Sequence, residues 1–332
     1  MKLSRLAIYA WGVLILNLGV ILWGAFVRAS GSGAGCGGHW PLCNGEAIPR
    51  TPQIATMIEF THRLSSGLAL ILIIGLFGWV FRTYARGHII RRAASFSLLF
   101  IFVEALVGAG LVLFELVAYN ASIARAIVMA LHLMNTFLLL GALTLTAWWI
   151  SGGRPVRLKG QGLISWVLGI GLVSMLVLGA SGGVTALGDT LFPARSLAEG
   201  LQQDFSPTAH ILIRLRLFHP LIAVSVGIYL IIAGAINTRL RPGAVTKRLA
   251  RLLTVLYLVQ LGAGAFNVAL QAPIWLQLVH LLLSDLIWIT LVLLVSTALA
   301  QPVPIQSEKT ISPGQDKQPL PESPRLAGAS RR

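Results

Sequence analysis

Eight long apolar runs dominate this sequence and restrict what the chain can fold into. Each run holds about 20 or more mostly apolar residues, the length that a helix needs to cross ~30 Å of hydrocarbon. Of the 332 residues, 56% are hydrophobic and 11% are charged, which is more apolar surface than a soluble domain of this size could cover. The sequence therefore predicts an all-α polytopic membrane protein with spans at about 7–27, 60–81, 93–116, 126–150, 162–184, 210–236, 250–271 and 274–299.

The net charge of +15 would suit a nucleic-acid partner, but the placement of the charges indicates a membrane instead. Fourteen of the 26 Lys and Arg residues lie on the side of the N-terminus, and four lie in the loops of the opposite side. Cytoplasmic loops carry this excess of positive charge. We therefore expect a multi-pass protein of the cell membrane, with both termini cytoplasmic and no nucleic-acid partner. Span one is too long for a signal peptide and has no clear cleavage site.

The second half of the chain repeats the first. The Gly24-Ala25 pair recurs at Gly179-Ala180, His62 recurs at His219, and His132 recurs at His280, at offsets that differ only by loop lengths. Internal repeats of this kind predict two pseudo-symmetric four-helix bundles, at residues 1–150 and 151–300. Residues 301–332 are rich in Pro, Ser, Gln and charge, so we expect a disordered cytoplasmic tail.

Four histidines lie in or near the first halves of four spans, at His62, His132, His219 and His280. Two imidazoles that face each other inside a four-helix bundle are the usual protein ligands of a haem with both axial positions filled. Zinc or copper would need further ligands nearby. The sequence thus predicts two haem-binding pockets, one in each half.

The two predicted pockets differ in one acidic residue. Glu59 lies three residues before His62, on the same face of a helix, whereas Arg216 holds the matched position before His219. A carboxylate in one half only suggests that one pocket reacts and the other assists. A helix-entry residue solvated by lipid headgroups is the alternative interpretation of Glu59.

The only two cysteines, Cys36 and Cys43, lie in the first loop on the outer side. Their spacing and compartment predict a disulfide that closes a small loop, and a redox-active pair that exchanges electrons with a thiol protein is the alternative. Three cationic side chains near the outer ends of spans are candidates for binding haem propionates through charge-assisted hydrogen bonds: Arg63, Arg214 and Arg216.

Two motifs carry a resemblance to a known family. The first motif is Glu59-Phe60-Thr61-His62-Arg63. The second lies in the first outer loop and consists of Arg28-Ala29-Ser30-Gly31-Ser32-Gly33, then Cys36, then Trp40-Pro41-Leu42-Cys43-Asn44-Gly45. Together with the four histidines in two repeats, they resemble the haem A synthase family over about residues 5–300. The resemblance implies an oxidoreductase that converts the C8 methyl group of haem O into a formyl group. Two successive oxidations, through a hydroxymethyl group and a hydrated aldehyde, would give haem A for aa3-type cytochrome oxidases.

The same resemblance implies roles for particular residues. His62 and His132 would hold the haem O substrate, His219 and His280 would hold a haem b cofactor, and catalytic Glu59 would accept a proton or stabilise positive charge. A haem O synthase and an electron donor are candidate partners. Pro220 departs from the family pattern, which more often has Arg after this histidine, and the second half has no cysteine pair.

Two other functions compete with this one. A bis-histidine cytochrome b that carries electrons between a quinol and an outer partner explains the four histidines but gives no role to Glu59. A transporter built from repeats explains the repeats but not the histidine pairs at matched depth.

Overall fold

The eight apolar runs form eight helices that are long and apolar enough to cross a membrane, in a computed structural model that describes residues 3–300. Within these residues the only β structure is a single bridge between Cys43 and Glu46. The helices are α1 (Arg5–Ala29), α2 (Ile54–Thr83), α3 (Ile89–Leu113), α4 (Ile123–Ile150), α5 (Leu163–Leu191), α6 (Leu197–Phe205), α7 (Ile211–Arg216), α8 (Phe218–Leu240), α9 (Ala244–Ala269) and α10 (Ile274–Leu299). The prediction of an all-α, multi-pass membrane protein is confirmed; the predicted tail lies outside the described residues.

Two helices extend beyond the apolar runs that predicted them. Helix α2 begins at Ile54, so Glu59 lies inside the helix rather than before it. Helix α5 continues to Leu191, so its glycine-rich segment is helical despite the low helix propensity of glycine. Packing explains this, because a Cβ atom at Gly179 would lie 2.6 Å from the ring of Phe137 on α4. The glycines let α5 approach α4 closely.

The sixth span is broken where its counterpart in the first half is continuous. Helix α7 ends at Arg216 and α8 begins at Phe218, with Leu217 between them. Pro220 explains the break, since proline has no N–H to donate and its ring clashes with the carbonyl four residues earlier, here that of Arg216. The break lies immediately before His219, but Leu217 itself keeps helical dihedral angles, so the sixth span continues through it as one span, Ile211–Leu240.

The helices of each half pack in a ring. Helix α1 contacts α2 and α4, which both contact α3 to close the first ring; α5, α8, α9 and α10 form the second in the same way. The rings meet along α4, which contacts α5 and α10. At this junction Trp288 of α10 stacks on Phe137 and donates its Nε1–H to the Phe137 carbonyl at 2.5 Å. The pseudo-symmetry and the boundary near residue 150 remain predictions.

Candidate functional site

A cavity of about 1290 Å³ lies between the helices at the end of the bundle that carries the Cys36–Cys43 loop, which we call the disulfide end. All four predicted histidine ligands and Glu59 line it. Pockets for drug-sized ligands usually measure ~300–1,000 Å³. The cavity therefore has room for a larger ligand, or for more than one, and it receives side chains from both halves of the chain.

His62 lies on α2 against the backbone of α1 at Gly24. A Cβ atom at Gly24 would lie 2.8 Å from His62 Cε1 and 3.0 Å from its Nε2, so only glycine leaves room for the ring. The Nδ1 atom of His62 is buried and has no hydrogen-bond partner among the described residues. Buried polar atoms are normally paired, so this unpaired nitrogen suits a residue whose partner is a ligand.

His132 lies on α4 beside an acidic residue of α3 that the sequence analysis did not include in the site. Glu104 Oε1 is 3.5 Å from His132 Nδ1. Asn135 Nδ2 donates to Glu104 Oε2 and Thr136 Oγ1 donates to Glu104 Oε1, each at 2.5 Å. These two contacts fix the carboxylate next to the imidazole. Carboxylates in this position commonly orient histidines that bind metals.

Glu59 is 3% exposed, so the alternative of a carboxylate solvated at the headgroups is wrong. Its Oε1 accepts hydrogen bonds from Arg63 Nη2 at 2.6 Å and Nε at 3.2 Å, and its Oε2 accepts one from the backbone N–H of Cys36 at 2.9 Å. The carboxylate is thus held in one orientation at the wall of the cavity, one helical turn before His62.

The loop above Glu59 is closed by the predicted disulfide between Cys36 and Cys43, which is confirmed. Arg63 Nη1 donates to the carbonyls of His39 and Leu42 in this loop, at 2.6 and 2.7 Å. Glu59 and Arg63 therefore fasten the loop to α2. The contacts also occupy Arg63 inside the protein, so its predicted propionate binding finds no support in this geometry and remains a prediction.

The second histidine pair has a spacing that suits a shared metal ion. The ring centroids of His219 and His280 are 6.5 Å apart, and the ring planes are nearly perpendicular, at 77°. When one nitrogen of each ring bonds the same metal ion at ~2 Å, from opposite sides, the two ring centres lie roughly this far apart. The separation of the rings therefore matches the length of a bridge through one metal ion, and the unpaired nitrogen of His280 is Nδ1, since its Nε2 contacts Gln260.

Each ring of this pair packs against a glycine. A Cβ atom at Gly182 would lie 3.1 Å from His219 Cε1, and one at Gly264 would lie 3.2 Å from His280 Cε1. His219 Nδ1 contacts Ser181 Oγ at 2.9 Å, which leaves its Nε2 for a ligand, and His280 Nε2 contacts the amide of Gln260 at 3.1 Å. Neutral groups thus support this pair, in contrast to the carboxylate beside His132.

Arg216, at the position matched to Glu59, is 9% exposed and lies between two acids. Its Nη1 is 3.1 Å from Asp189 Oδ1 and its Nη2 is 2.7 Å from Asp204 Oδ1. Both aspartates line the cavity, so the interpretation that only the first half supplies a carboxylate is wrong. Arg214 is exposed and is not among the cavity-lining residues. The predicted propionate contacts of both arginines stay untested.

The sequence matches one family model over most of its length. Residues 7–292 match the COX15-CtaA model, described as a cytochrome oxidase assembly protein. The chain belongs to the COX15-CtaA family. The family resemblance inferred from Glu59, His62 and the cysteine loop is thereby confirmed.

Relatives of this COX15-CtaA family member carry two different names. It is 56% identical over 296 residues to a protoheme IX farnesyltransferase of Thermus thermophilus, covering 89% of this chain and 49% of that protein. A heme A synthase of Exiguobacterium sp. is 30% identical over 188 residues, covering 56% of this chain and 60% of the relative. One from Alkalihalophilus pseudofirmus is 44% identical over 114 residues, or 33% and 37% of the two chains. The chain thus spans about half the length of its Thermus relative.

Proposed function

We propose that this COX15-CtaA family member is a haem A synthase, an oxidoreductase that converts the C8 methyl group of haem O into the formyl group of haem A. The observation that carries the proposal is a cavity lined by two histidine pairs, with the buried carboxylate of Glu59 beside one pair only. The relatives named heme A synthase support it. Haem A would then serve aa3-type cytochrome oxidases.

In the first-half pocket, His62 and His132 bind the iron of the haem O substrate. Glu104 lies 3.5 Å from His132 Nδ1, which forms no hydrogen bond among residues 3–300, so its carboxylate places a negative charge beside the imidazole. Glu59 lies on the same helix face as His62 and acts at the methyl group, where it accepts a proton or stabilises developing positive charge. Arg63 and the Cys36 amide keep its carboxylate in place.

In the second-half pocket, His219 and His280 bind a haem b cofactor, whose chemistry is one-electron transfer. Ser181 holds His219 through Nδ1, and Gly182 and Gly264 keep the space beside the rings free of side chains. The pocket lies in the same cavity as the first. A haem held there would supply one-electron chemistry in the cavity that also contains His62, His132 and Glu59.

The reaction replaces two hydrogens of a methyl group by one oxygen, so it requires an oxidant and a redox partner outside this chain. A haem O synthase is the enzyme that would supply the substrate. The farnesyltransferase name of the Thermus relative, about half of which is similar to this chain, supports a neighbouring enzyme of that class. We infer a cell-membrane location with both termini cytoplasmic, which puts the disulfide end on the outer side.

Haem extraction and mass analysis test the proposed function. In cells that express the full chain together with a source of haem O, we expect haem A or its hydroxymethyl precursor. Cells that carry the haem O source alone are the control. Recovery of only haem b and haem O, from a protein with a bis-histidine spectrum, would replace the proposal with an electron-carrying cytochrome b.

Gly24→Ala tests the position of His62. The added Cβ atom would overlap the imidazole, so we expect product formation to fall about tenfold. Gly19→Ala is the matched control, because Gly19 lies on the same helix with no neighbouring atom within 4 Å of the added Cβ. Product yield per amount of protein in the membrane is the measurement. Equal yields in the two variants would contradict the close packing of His62 on α1.

A further inference from the structure

Four arginines line the cavity within the described part of the chain, and they form two groups. Arg63 and Arg216 each form an ion pair, with Glu59 and with Asp189 and Asp204 respectively. The other two, Arg28 and Arg125, donate their hydrogen bonds to neutral oxygens only. Among the described residues, neither of these two positive charges is hydrogen-bonded to a carboxylate.

Arg125 is 4% exposed, in the first turn of α4. Its Nη1 donates to the carbonyls of Ala118 and Asn120, at 2.5 and 2.9 Å, and its Nε has no hydrogen-bond partner among residues 3–300. A guanidinium removed from water without a counter-charge is costly. A nearby anionic ligand would compensate for that cost.

Arg28 approaches the same region from the end of α1. Its Nη1 donates to the Ala186 carbonyl at 2.7 Å and to Thr190 Oγ1 at 2.5 Å, and its Nη2 donates to Gln277 Oε1 at 2.8 Å. Arg28 and Arg125 line the same cavity. Asp189, an acid in the same region of α5, has its carboxylate hydrogen-bonded to Arg216 rather than to Arg28. Each of the two guanidinium groups is therefore held at the cavity by neutral oxygens alone.

The distance from Arg125 to His132 along α4 matches the size of a porphyrin that His132 would bind. Arg125 lies seven residues before His132, or two helical turns, on the same face of α4 and roughly 10 Å along the axis. That distance is comparable with the reach from the centre of a porphyrin to the carboxylates at its edge. Arg28 contacts Gln277, which lies one turn before His280.

We propose that Arg125 and Arg28 form the carboxylate-binding site for the porphyrin that His132 contacts. The inference rests on the proposed function and replaces Arg63, Arg214 and Arg216 as the residues that bind propionates. A propionate at these guanidinium groups supplies the missing counter-charge and forms charge-assisted hydrogen bonds, for which Arg125 Nε is an unused donor. The same contacts set the rotation of the ring about its axis, and so decide which methyl group faces Glu59.

The test compares haem O, the proposed ligand of the pocket that contains His132, with its dimethyl ester, which lacks the two negative charges, on the purified full chain. We expect the wild-type protein to bind the free acid roughly ten- to a hundredfold more tightly than the ester. Arg125→Gln should reduce this ratio to near one, and Arg28→Gln should reduce it in part. Arg50→Gln is the matched control, because Arg50 is exposed in the cysteine loop, pairs with Glu46 and does not line the cavity. Arg28→Gln carries the test if Arg125→Gln fails to fold.

Metal-free protoporphyrin IX separates this site from the proposed function. It carries the carboxylates but no iron, so its fluorescence on binding reports the arginines without histidine ligation. Discrimination between protoporphyrin and its ester that depends on Arg125 would sustain the site even if no histidine-ligated haem formed. If the ratio for Arg125→Gln, or for Arg28→Gln where Arg125→Gln does not fold, stays at the wild-type value, the two arginines do not form the site. Equal binding of acid and ester by the wild-type chain would overturn it as well.

Discussion

Glu59→Gln is expected to abolish haem A formation while the protein keeps its haem. The change removes the negative charge and the proton-accepting capacity of the side chain with almost no change in volume. General acid–base catalysis contributes about 10²–10⁴ in rate, so product should fall by at least about a hundredfold. The histidine ligands are not altered, which is why the bound haem should remain. The measurements are haem A per cell by mass analysis and haem per protein by absorption.

The structure provides a second role for Glu59 that this experiment must separate from catalysis. Its carboxylate fastens the cysteine loop through Arg63 and the Cys36 amide, so a loosened loop could also lower activity. Arg63→Gln removes the fastening but keeps the acid. We expect that variant to lose far less product than Glu59→Gln. Glu46→Gln is the control, because Glu46 lies at an exposed position in the loop. A normal amount of product from Glu59→Gln would contradict the catalytic role of Glu59.

Much of the fold follows directly from the sequence, because a membrane demands apolar runs of a fixed length. The ends of two helices did not follow. Helix α5 runs on past residue 184 to Leu191, where Gly188 packs closely on α7. A Cβ atom at Gly188 would lie 3.0 Å from the Leu212 carbonyl oxygen, and this contact depends on a partner outside the helix. The break at Leu217 was readable in principle, since Pro220 alone explains it.

The histidines of the site were predictable because the repeat marked them, but the partners of the charged residues were not. Arg63 and Arg216 were selected as cations near helix ends. Arg63 pairs with Glu59 of its own helix, whereas Arg216 pairs with acids that α5 and α6 bring to it. Glu104 could have been selected as a site residue from the sequence, since an acid in the middle of a membrane span is costly and usually functional. Only the structure shows that it lies beside His132.

Glu59 and Arg216 lie at matched positions and carry opposite charges, but both form ion pairs or hydrogen bonds with neighbouring segments of the chain. Glu59 binds Arg63 and the cysteine loop, whereas Arg216 binds Asp189 on α5 and Asp204 on α6. In both halves, a buried charge close to the histidine joins the connecting segment to the helix. Both halves therefore present an arginine and at least one carboxylate to the cavity, and they differ in which of the two charges lies one turn before the histidine.

His62→Ala and His280→Ala are expected to have opposite effects on retained haem, because the proposed pockets hold a substrate and a cofactor. Loss of His280 removes an axial ligand of the resident haem, so haem per protein should fall at least about tenfold, and product should be lost with it. His62→Ala should abolish product but leave the retained haem, since His219 and His280 are unchanged.

Absorption spectra and haem content of the purified variants distinguish the two pockets. His39→Ala is the control, because the His39 ring is exposed and only its backbone carbonyl contacts Arg63, which alanine preserves. If both histidine variants lost the same haem, the two pairs would serve one site, and the division into substrate and cofactor pockets would fail. Retained haem in His280→Ala with an unchanged bis-histidine spectrum would place the cofactor at His62 and His132 instead.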